Sequence, residues 1–259
     1  TQDAAVVDAF AKTSRGNKHV HLTGSPKIDS LVANSVGAKR DRYTMVWAPH
    51  HSYSPHWLNF GTFAQMHKEM LHFAETHQEV DIVMRPHPFM FGTLVEREVV
   101  NKAELDDWLF AFNALPNTSI ETGGDFGHLF KSCDLLLTDG ISFIGEYPLI
   151  ANKPAVFLEN KDHWAFSPIG EIAVKANWRI DSFAQFVERF DDIRENHLGD
   201  YSEAIEKLRR AASPYPGEAA ERIIEIVASD HAAQSPLVDK SQITELAWEF
   251  GPDKEPLVD

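Results

Sequence analysis

The chain has 259 residues, one cysteine and a formal net charge of −15. This length allows one large α/β domain or two small ones, and Cys133 alone cannot form an internal disulfide, so we expect it to be a buried thiol. The acidic balance argues against nucleic-acid binding, which needs a basic face, but it does not exclude a small nucleotide ligand. No apolar stretch is long enough to predict a transmembrane helix, and we expect no signal peptide.

Short apolar strands and amphipathic helices alternate along most of the chain. The predicted strands are 19–22, 43–48, 81–84, 117–121, 135–137, 155–158 and 172–174. The predicted helices are 1–13, 28–36, 58–77, 94–115, 126–132, 142–150, 181–190, 201–212, 217–229 and 241–250. This alternation with short connections predicts an α/β fold, a Rossmann-like doubly wound parallel sheet flanked by helices.

The segment 134–159 contains the clearest unit, in which a buried strand, a polar turn, a helix and a second strand follow one another. Ligands of such sheets bind at the carboxyl ends of strands, where helix N-termini offer free N–H groups to anions. Ser142 lies at the predicted helix start, and Glu146 follows one turn later on the same face. The pair is compatible with a phosphate site, but a simple N-cap and a carboxylate that complements the helix dipole are the commoner explanation of such a pair.

Two histidine-containing turns follow predicted strands. The first, Pro49-His50-His51, is a polar loop beside which His56 adds a third imidazole. No Cys/His or carboxylate set at ligand spacing accompanies these histidines, so we predict a ligand-facing loop and no metal site.

The second turn is Arg85-Pro86-His87-Pro88, where two prolines restrict the backbone around His87. A histidine held in this way can offer a hydrogen bond or a charge to an anion. A stiff turn with an incidental histidine is the alternative.

Several short motifs at strand ends occur together in a recognisable order. They are Gly24-Ser25-Pro26-Lys27-Ile28-Asp29, Ala48-Pro49, His87-Pro88, Thr138-Asp139 with Ser142 and Glu146-Tyr147, Lys153-Pro154, and Gly217-Glu218-Ala219-Ala220-Glu221-Arg222-Ile223. In this order they resemble the CDP-glycerol glycerophosphotransferase family, the bacterial teichoic-acid and capsule polymerases of the cell envelope. The resemblance covers about residues 20–228 and implies the carboxyl-terminal, nucleotide-binding half of a GT-B architecture.

The resemblance implies roles for individual residues. His87 matches the family's His-Pro histidine, which implies contact with the donor diphosphate and a catalytic role. Ser142 and Glu146 match the serine and acidic residue that hold phosphate and ribose, and Asp139 begins that motif. The remaining residues that we expect to bind the donor or its phosphates are Ser25, His50, His51, Arg85 and Gly140. No cofactor is implied.

The chain departs from the family pattern in three respects. Gly140 and Ile141 stand where the family commonly has aromatic and serine residues, and His50 and His51 follow Ala48-Pro49 where the family has threonine. The general-base histidine expected from an amino-terminal half has no counterpart here. We therefore expect a donor-binding domain over 1–229, a polar tail over 230–259 and an absent amino-terminal acceptor domain. The start at Thr1 rather than Met agrees with an excised part of a longer protein.

Three hypotheses about function remain open at this point. The first is transfer of glycerol phosphate, or a related polyol phosphate, from a CDP-linked donor to a polymer acceptor. The second is a GT-B glycosyltransferase that uses a nucleotide sugar, because Glu146 could bind the ribose of that donor as well as the ribose of a CDP-linked donor. The third is a non-catalytic nucleotide-binding domain. We expect a cytoplasmic location, at the inner face of the cell membrane if regions outside this chain dock there.

Overall fold

The structure is a computed structural model that describes residue 1 and residues 4–14, 16–196 and 198–232. Six strands in this part of the chain form one parallel sheet in the order β3-β2-β1-β4-β5-β6. They are β1 (Tyr43–Ala48), β2 (Val80–Met84), β3 (Thr118–Ile120), β4 (Leu135–Thr138), β5 (Val156–Leu158) and β6 (Trp178–Ile180). The predicted doubly wound parallel sheet is therefore confirmed.

Eleven helices of the described residues connect and cover these strands. They are α1 (Ala4–Ala11), α2 (Pro26–Asn34), α3 (Phe63–Thr76), α4 (Met90–Glu96), α5 (Lys102–Ala114), α6 (Gly127–Ser132), α7 (Phe143–Ala151), α8 (Pro168–Lys175), α9 (Phe183–Asn196), α10 (Ser202–Ala212) and α11 (Ala219–Ala232). The predicted helix 241–250 lies outside the described residues. None of the helices in the described ranges is both long and apolar enough to cross a membrane.

The central strands are apolar on both faces because helices cover the sheet on each side. Met45 pairs with Leu135 and Trp47 with Leu137 across β1 and β4. Trp47 is 1% exposed and stacks on Phe63 of α3, with ring centroids 5.6 Å apart. Burial of a side chain of this size contributes about 1.5–3 kcal/mol, so these contacts hold the sheet and its helices in one unit. Cys133 is buried, as expected.

The predicted long helix 58–77 begins five residues later than expected. Leu58 and Asn59 have positive φ angles of 58° and 56°, which an α-helix cannot accommodate, and α3 starts only at Phe63. Its buried residue His67 was expected on the surface because the histidine spacing does not form one face. The ring packs on Phe63, and its Nδ1 lies 3.1 Å from the Phe63 carbonyl oxygen.

Two predicted strands were wrong. The segment 172–174 belongs to α8, because Ser167 accepts a capping hydrogen bond from Gly170 and Pro168 occupies the first helical turn. The edge strand is β6 instead. The segment 19–22 is irregular and is not a strand of the sheet: the Val20 N–H donates to the Asn17 carbonyl at 2.9 Å, and the His21 carbonyl accepts from the Thr1 amino group at 2.8 Å.

Candidate active site

The candidate site lies at the carboxyl edge of the sheet, where β1 and β4 are neighbours. The chain leaves β1 towards β2 on one side, whereas β4 leads to β5 on the other side. The connections diverge at this point, which is where open α/β sheets form a ligand crevice. The loop after β1 (49–62) and the turn after β4 (139–142) therefore face each other.

Asp139, the first residue of the turn after β4, connects that turn to the loop after β1 by hydrogen bonds. The backbone N–H of His50 donates to its Oδ1 at 2.6 Å, and the N–H and hydroxyl of Thr62 donate to its Oδ2 at 2.6 and 2.9 Å. The side chain is 2% exposed, and burial raises its pKa to about 6, although these hydrogen bonds oppose the rise. Both carboxylate oxygens are engaged within the protein. Asp139 therefore positions the histidine loop, and it does not face the crevice.

Three imidazole rings cluster in and beside the loop that Asp139 anchors. The rings of His51 and His87 are stacked with centroids 3.7 Å apart, and His50 lies 4.5 Å from His51 and 5.8 Å from His87. The backbone contributes to this geometry, because the N–H of His87 donates to the Pro49 carbonyl at 3.1 Å. The two histidine turns thus come together although 36 residues separate His51 from His87 in the sequence.

The ring nitrogens of this cluster point to the protonation state. His50 Nδ1 accepts the Ser52 N–H at 3.2 Å and lies 2.8 Å from the Ser52 hydroxyl, so its proton resides on Nε2. His87 Nδ1 accepts the Phe89 N–H at 3.2 Å. His51 Nδ1 is buried and has no hydrogen-bond partner among the described residues. A ligand oxygen is the kind of partner that this nitrogen lacks.

Burial and mutual repulsion keep these histidines neutral. Burial, assisted by the neighbouring imidazoles, lowers the pKa of His50 to about 3. Burial and the proximity of His87 lower the pKa of His51 to about 4, and burial also lowers the pKa of His87. An anion bound beside the rings would oppose these shifts, because it favours the charged imidazolium.

Arg85 is directed away from the cluster. Its guanidinium donates to the carbonyls of Gly123 and Gly124 at 3.0 and 2.8 Å and to Glu121 at 3.2 Å, and the residue is 8% exposed. Its donors therefore hold the loop after β3. In this structure Arg85 contacts that loop, and its predicted contact with the donor stays a prediction.

A cleft of about 490 Å³ opens beside the cluster, between α2, α7, α8 and α10. Ser25, Ser142 and Glu146 line it, together with Lys27. Ser25 caps α2 by accepting the Ile28 N–H at 3.4 Å. Ser142 begins α7 without a side-chain cap bond, which leaves its exposed hydroxyl available to a ligand.

Glu146 is the principal polar group of this cleft. Its Oε1 accepts a hydrogen bond from Lys27 Nζ at 2.6 Å, whereas its buried Oε2 has no partner among the described residues. Burial raises the pKa of Glu146, and the Lys27 ammonium opposes the rise. A carboxylate with one free oxygen can accept hydroxyl hydrogen bonds, as a ribose diol would provide.

Gly140 separates the two parts of the site. Its N–H donates to Thr138 Oγ1 at 2.9 Å. A Cβ at this position would lie 3.2 Å from Thr138 Oγ1, which is a tight contact, and 3.7 Å from the His50 ring, which is an ordinary one.

The structure also brings the first and last motifs of the sequence together. The Ala219 N–H at the start of α11 donates to Asp29 Oδ2 at 3.0 Å. Gly24, with φ of +85°, passes so close that a Cβ there would lie 3.2 Å from the Ala219 Cβ. These residues shape the backbone that presents Ser25.

Several residues near the cleft were missed by the sequence analysis. Phe60 lines the cleft. Its ring centroid lies 6.2 Å from that of His50 and 4.5 Å from that of His163, on which it stacks. His163 Nε2 lies 2.7 Å from Glu159, which is also paired with Arg179. Glu159 at the end of β5 was the one available clue, because a carboxylate directly after a buried strand needs a partner.

A metal centre receives no support from the geometry. Within the described ranges, no group of three or more His, Cys, Asp or Glu residues is arranged to hold a metal ion. The imidazoles of His51 and His87 are face to face, so their nitrogens do not converge on one point.

Comparison with known proteins gives matches to solved structures. A Listeria monocytogenes protein assigned as a UDP-N-acetylglucosamine 2-epimerase has a TM-score of 0.57 and 16% identity, over 91% of this chain and 60% of that chain. S. aureus MnaA in complex with UDP has a TM-score of 0.57 and 14% identity, over 91% and 61%. A variant of the wall teichoic acid polymerase TagF has a TM-score of 0.51 and 14% identity, over 89% and 57%.

These similarities concern the fold. The chain spans about three fifths of the length of each structure, and the matched region has the Rossmann-like α/β fold of these GT-B neighbours. No protein-family model and no curated protein matches the sequence. The predicted GT-B type of fold is therefore confirmed, while the predicted glycerophosphotransferase family stays a prediction.

Proposed function

We propose that this chain supplies the donor site of a transferase that moves glycerol phosphate, or a related polyol phosphate, from a CDP-linked donor to a growing surface polymer. The observation that carries this proposal is Glu146, whose free Oε2 lies in a cleft beside Ser142 and next to the histidine cluster. The cleft volume of about 490 Å³ falls in the range of small-molecule sites.

The two parts of the site suit the two chemical parts of such a donor. Glu146 accepts the ribose hydroxyls, and the Ser142 hydroxyl, which makes no cap bond, donates to a phosphate oxygen. His51 and His87, which lie at the ends of the adjacent strands β1 and β2, bind the other negatively charged oxygens of the diphosphate.

The reaction forms one phosphorus–oxygen bond and breaks another. A terminal hydroxyl of the acceptor attacks the phosphorus that carries glycerol, and the bond from this phosphorus to the bridging oxygen breaks. CMP leaves with the bridging oxygen and its electron pair. The hydroxyl proton passes to a base outside this chain, while His87 and His51 stabilise the charge that develops on the transferred phosphoryl oxygens.

Two of the compared proteins support the proposal. TagF is described as a wall teichoic acid polymerase, and MnaA was solved with UDP. The fold of this chain therefore occurs in a nucleotide-bound protein and in a polymer-forming one. We propose that the acceptor half of the active site lies in a region beyond this chain.

A nucleotide-sugar transferase is the second candidate, and the UDP in the MnaA structure favours it. Glu146 and Ser142 would contact the ribose and the phosphates, which both donor classes share. The base and the transferred group distinguish the two candidates.

Calorimetric titration of the full chain with CDP and with UDP tests the proposal. We expect CDP to bind more tightly than UDP, and Glu146→Gln to weaken CDP binding by about tenfold, as loss of a charge-assisted hydrogen bond predicts. Glu171→Gln is the matched control, because Glu171 also lies in a first helical turn but is exposed.

Each outcome has a defined meaning. Equal affinity or preference for UDP would favour the nucleotide-sugar candidate. Unchanged affinity in Glu146→Gln would remove the residue from the site. Nucleotide binding without turnover after an acceptor half is added would indicate a non-catalytic domain.

A further inference from the structure

Two large aromatic side chains are exposed on the outer side of the histidine cluster. Phe89 is 68% exposed and Trp57 is 44% exposed. The Trp57 ring lies 5.3 Å from His51 at an interplanar angle of 64°, and the Phe89 ring lies 6.2 Å from His51 and 5.5 Å from His87. Single exposed apolar side chains are common, but two aromatic rings around the same imidazole pair form a local surface that suits a ligand.

Both rings stand on anchored backbone. The Trp57 N–H donates to the Ser54 carbonyl at 3.0 Å, and the following residue, Leu58, has a positive φ. Trp164 secures the same loop, because its backbone N–H donates to the Leu58 carbonyl at 2.9 Å and its indole N–H donates to the Pro55 carbonyl at 3.1 Å.

Phe89 is anchored separately at the start of α4. Its N–H donates to His87 Nδ1 at 3.2 Å, so the ring and the imidazole are positioned together. Pre-positioned contact groups lose little conformational entropy when a ligand binds.

The contacts define an order across the site. Phe60 belongs to the cleft and contacts the His50 ring, His50 contacts His51, and His51 contacts Trp57. A ligand with its nucleoside in the cleft and its diphosphate on the imidazoles would place the group beyond the diphosphate beside Trp57.

We propose that Trp57 and Phe89 form the contact surface for the group that the donor carries on its distal phosphate, and that this group is an uncharged polyol or sugar. This inference rests on the proposed function. Aromatic faces attract C–H groups by dispersion and through the ring quadrupole, and the hydroxyls of a polyol or sugar can stay hydrated at an exposed surface. The two rings therefore determine specificity for the transferred group and contribute nothing to nucleotide affinity.

The test compares each nucleotide with its conjugate in the full chain. Calorimetry gives the Kd ratio of CDP to CDP-glycerol and of UDP to UDP-N-acetylglucosamine for wild type, Trp57→Ala and Phe89→Ala. In one of the two pairs, we expect the wild type to bind the conjugate about two- to tenfold more tightly than the bare nucleotide, as a contact with an aromatic ring predicts. Each variant should lose that gain and keep its nucleotide affinity within about twofold, the range of surface substitutions.

Phe110→Ala is the matched control, because Phe110 is 80% exposed on α5. Its Kd ratios should equal those of the wild type. Variants that retain the gain would overturn this inference and leave the donor site intact. A wild type without a gain in either pair, or variants that lose nucleotide affinity equally, would also overturn it. Absence of nucleotide binding in the wild type would overturn the proposed function itself.

Discussion

The imidazole rings of His51 and His87 lie face to face, with centroids 3.7 Å apart and planes inclined by 18°. Two like-charged rings at this distance repel each other, so both cannot readily be protonated without an anion beside them. The pair is therefore a site whose charge depends on its ligand.

Nucleoside diphosphate binding should be accompanied by proton uptake. The free cluster is neutral at pH 7, because the pKa of His51 is about 4 and that of His87 is also lowered. The ligand charge raises both pKa values, so affinity should increase as pH falls from 8 to 6. Calorimetry of CDP binding in buffers of different ionisation enthalpy measures the protons taken up.

The controls for proton uptake are histidine variants. His87→Gln should reduce the uptake, whereas His72→Gln should not, because the His72 side chain is 76% exposed on α3. CDP binding that is independent of both buffer and pH would contradict the assignment of the diphosphate to this pair.

The same histidines should make folding stability depend on pH. Because the pKa of His51 is lower in the folded chain than its ordinary value of 6.5, the unfolded chain binds more protons between pH 6.5 and 4. Stability is thus lost as pH falls through this window. Urea unfolding at pH 7 and pH 5 should show a larger loss for the wild type than for His51→Gln, and equal losses would refute the prediction.

Asp139→Asn should destabilise the fold by about 1–3 kcal/mol, because an amide group replaces one acceptor oxygen and leaves a buried N–H of His50 or Thr62 unpaired. The same variant should weaken CDP binding, since the histidine loop loses its anchor. Urea unfolding measures the first effect and calorimetry the second.

Asp134→Asn provides the comparison for this variant. Asp134 is exposed and accepts one N–H, from Thr44 at 2.8 Å, which an amide oxygen can also accept. Its stability should change by less than about 0.5 kcal/mol. Similar losses in both variants would mean that Asp139 has no special anchoring role.

Gly61→Ala should destabilise the loop after β1. A Cβ at Gly61 would lie 2.3 Å from the Tyr53 ring and 2.8 Å from the Ser52 carbonyl oxygen, so the backbone beside the histidines must move. We expect a loss of about 1–3 kcal/mol in urea unfolding, as for other overpacked sites.

Gly92→Ala is the opposite case within the same chain. Gly92 lies inside α4, and a Cβ there would meet no atom within 4 Å. Alanine should therefore stabilise the helix by about 0.5–1 kcal/mol. If Gly61→Ala were as benign as Gly92→Ala, the loop would be less tightly packed than its contacts indicate.

Lys27→Met should weaken nucleotide binding by making ionisation of Glu146 less favourable. Burial already raises the pKa of Glu146, and Lys27 is the charge that opposes this rise. The pKa should therefore rise further in the variant, and the ratio of its CDP affinity to that of the wild type should decrease as pH is lowered from 7 to 5.

Lys102→Met is the control, because Lys102 makes an ion pair of the same 2.6 Å length with Asp106 on the exposed side of α5. Its CDP titration should match that of the wild type at each pH. A Lys27 variant that also matches the wild type would show that the ion pair is dispensable for the site.

The sequence by itself predicted the sheet strands that are apolar on both faces, because burial of both faces leaves an uninterrupted hydrophobic run such as that of β1 or β4. It also predicted the polar turns at their carboxyl ends, including His87 between two prolines. It failed at α8, where the run at Ile172 resembles a strand. It failed also at Leu58, where local apolar spacing does not reveal a positive φ.

Only the tertiary structure decided which polar residues face the crevice. Local sequence cannot show that Asp139 and Arg85 are hydrogen-bonded to groups far away in the sequence, or that Lys27 pairs with Glu146. The two members of each pair are 36 to 119 residues apart. The stacking of His51 on His87 has the same origin. A strand's apolar pattern specifies that it is buried, whereas the neighbours of its end residue depend on the strand order of the whole sheet.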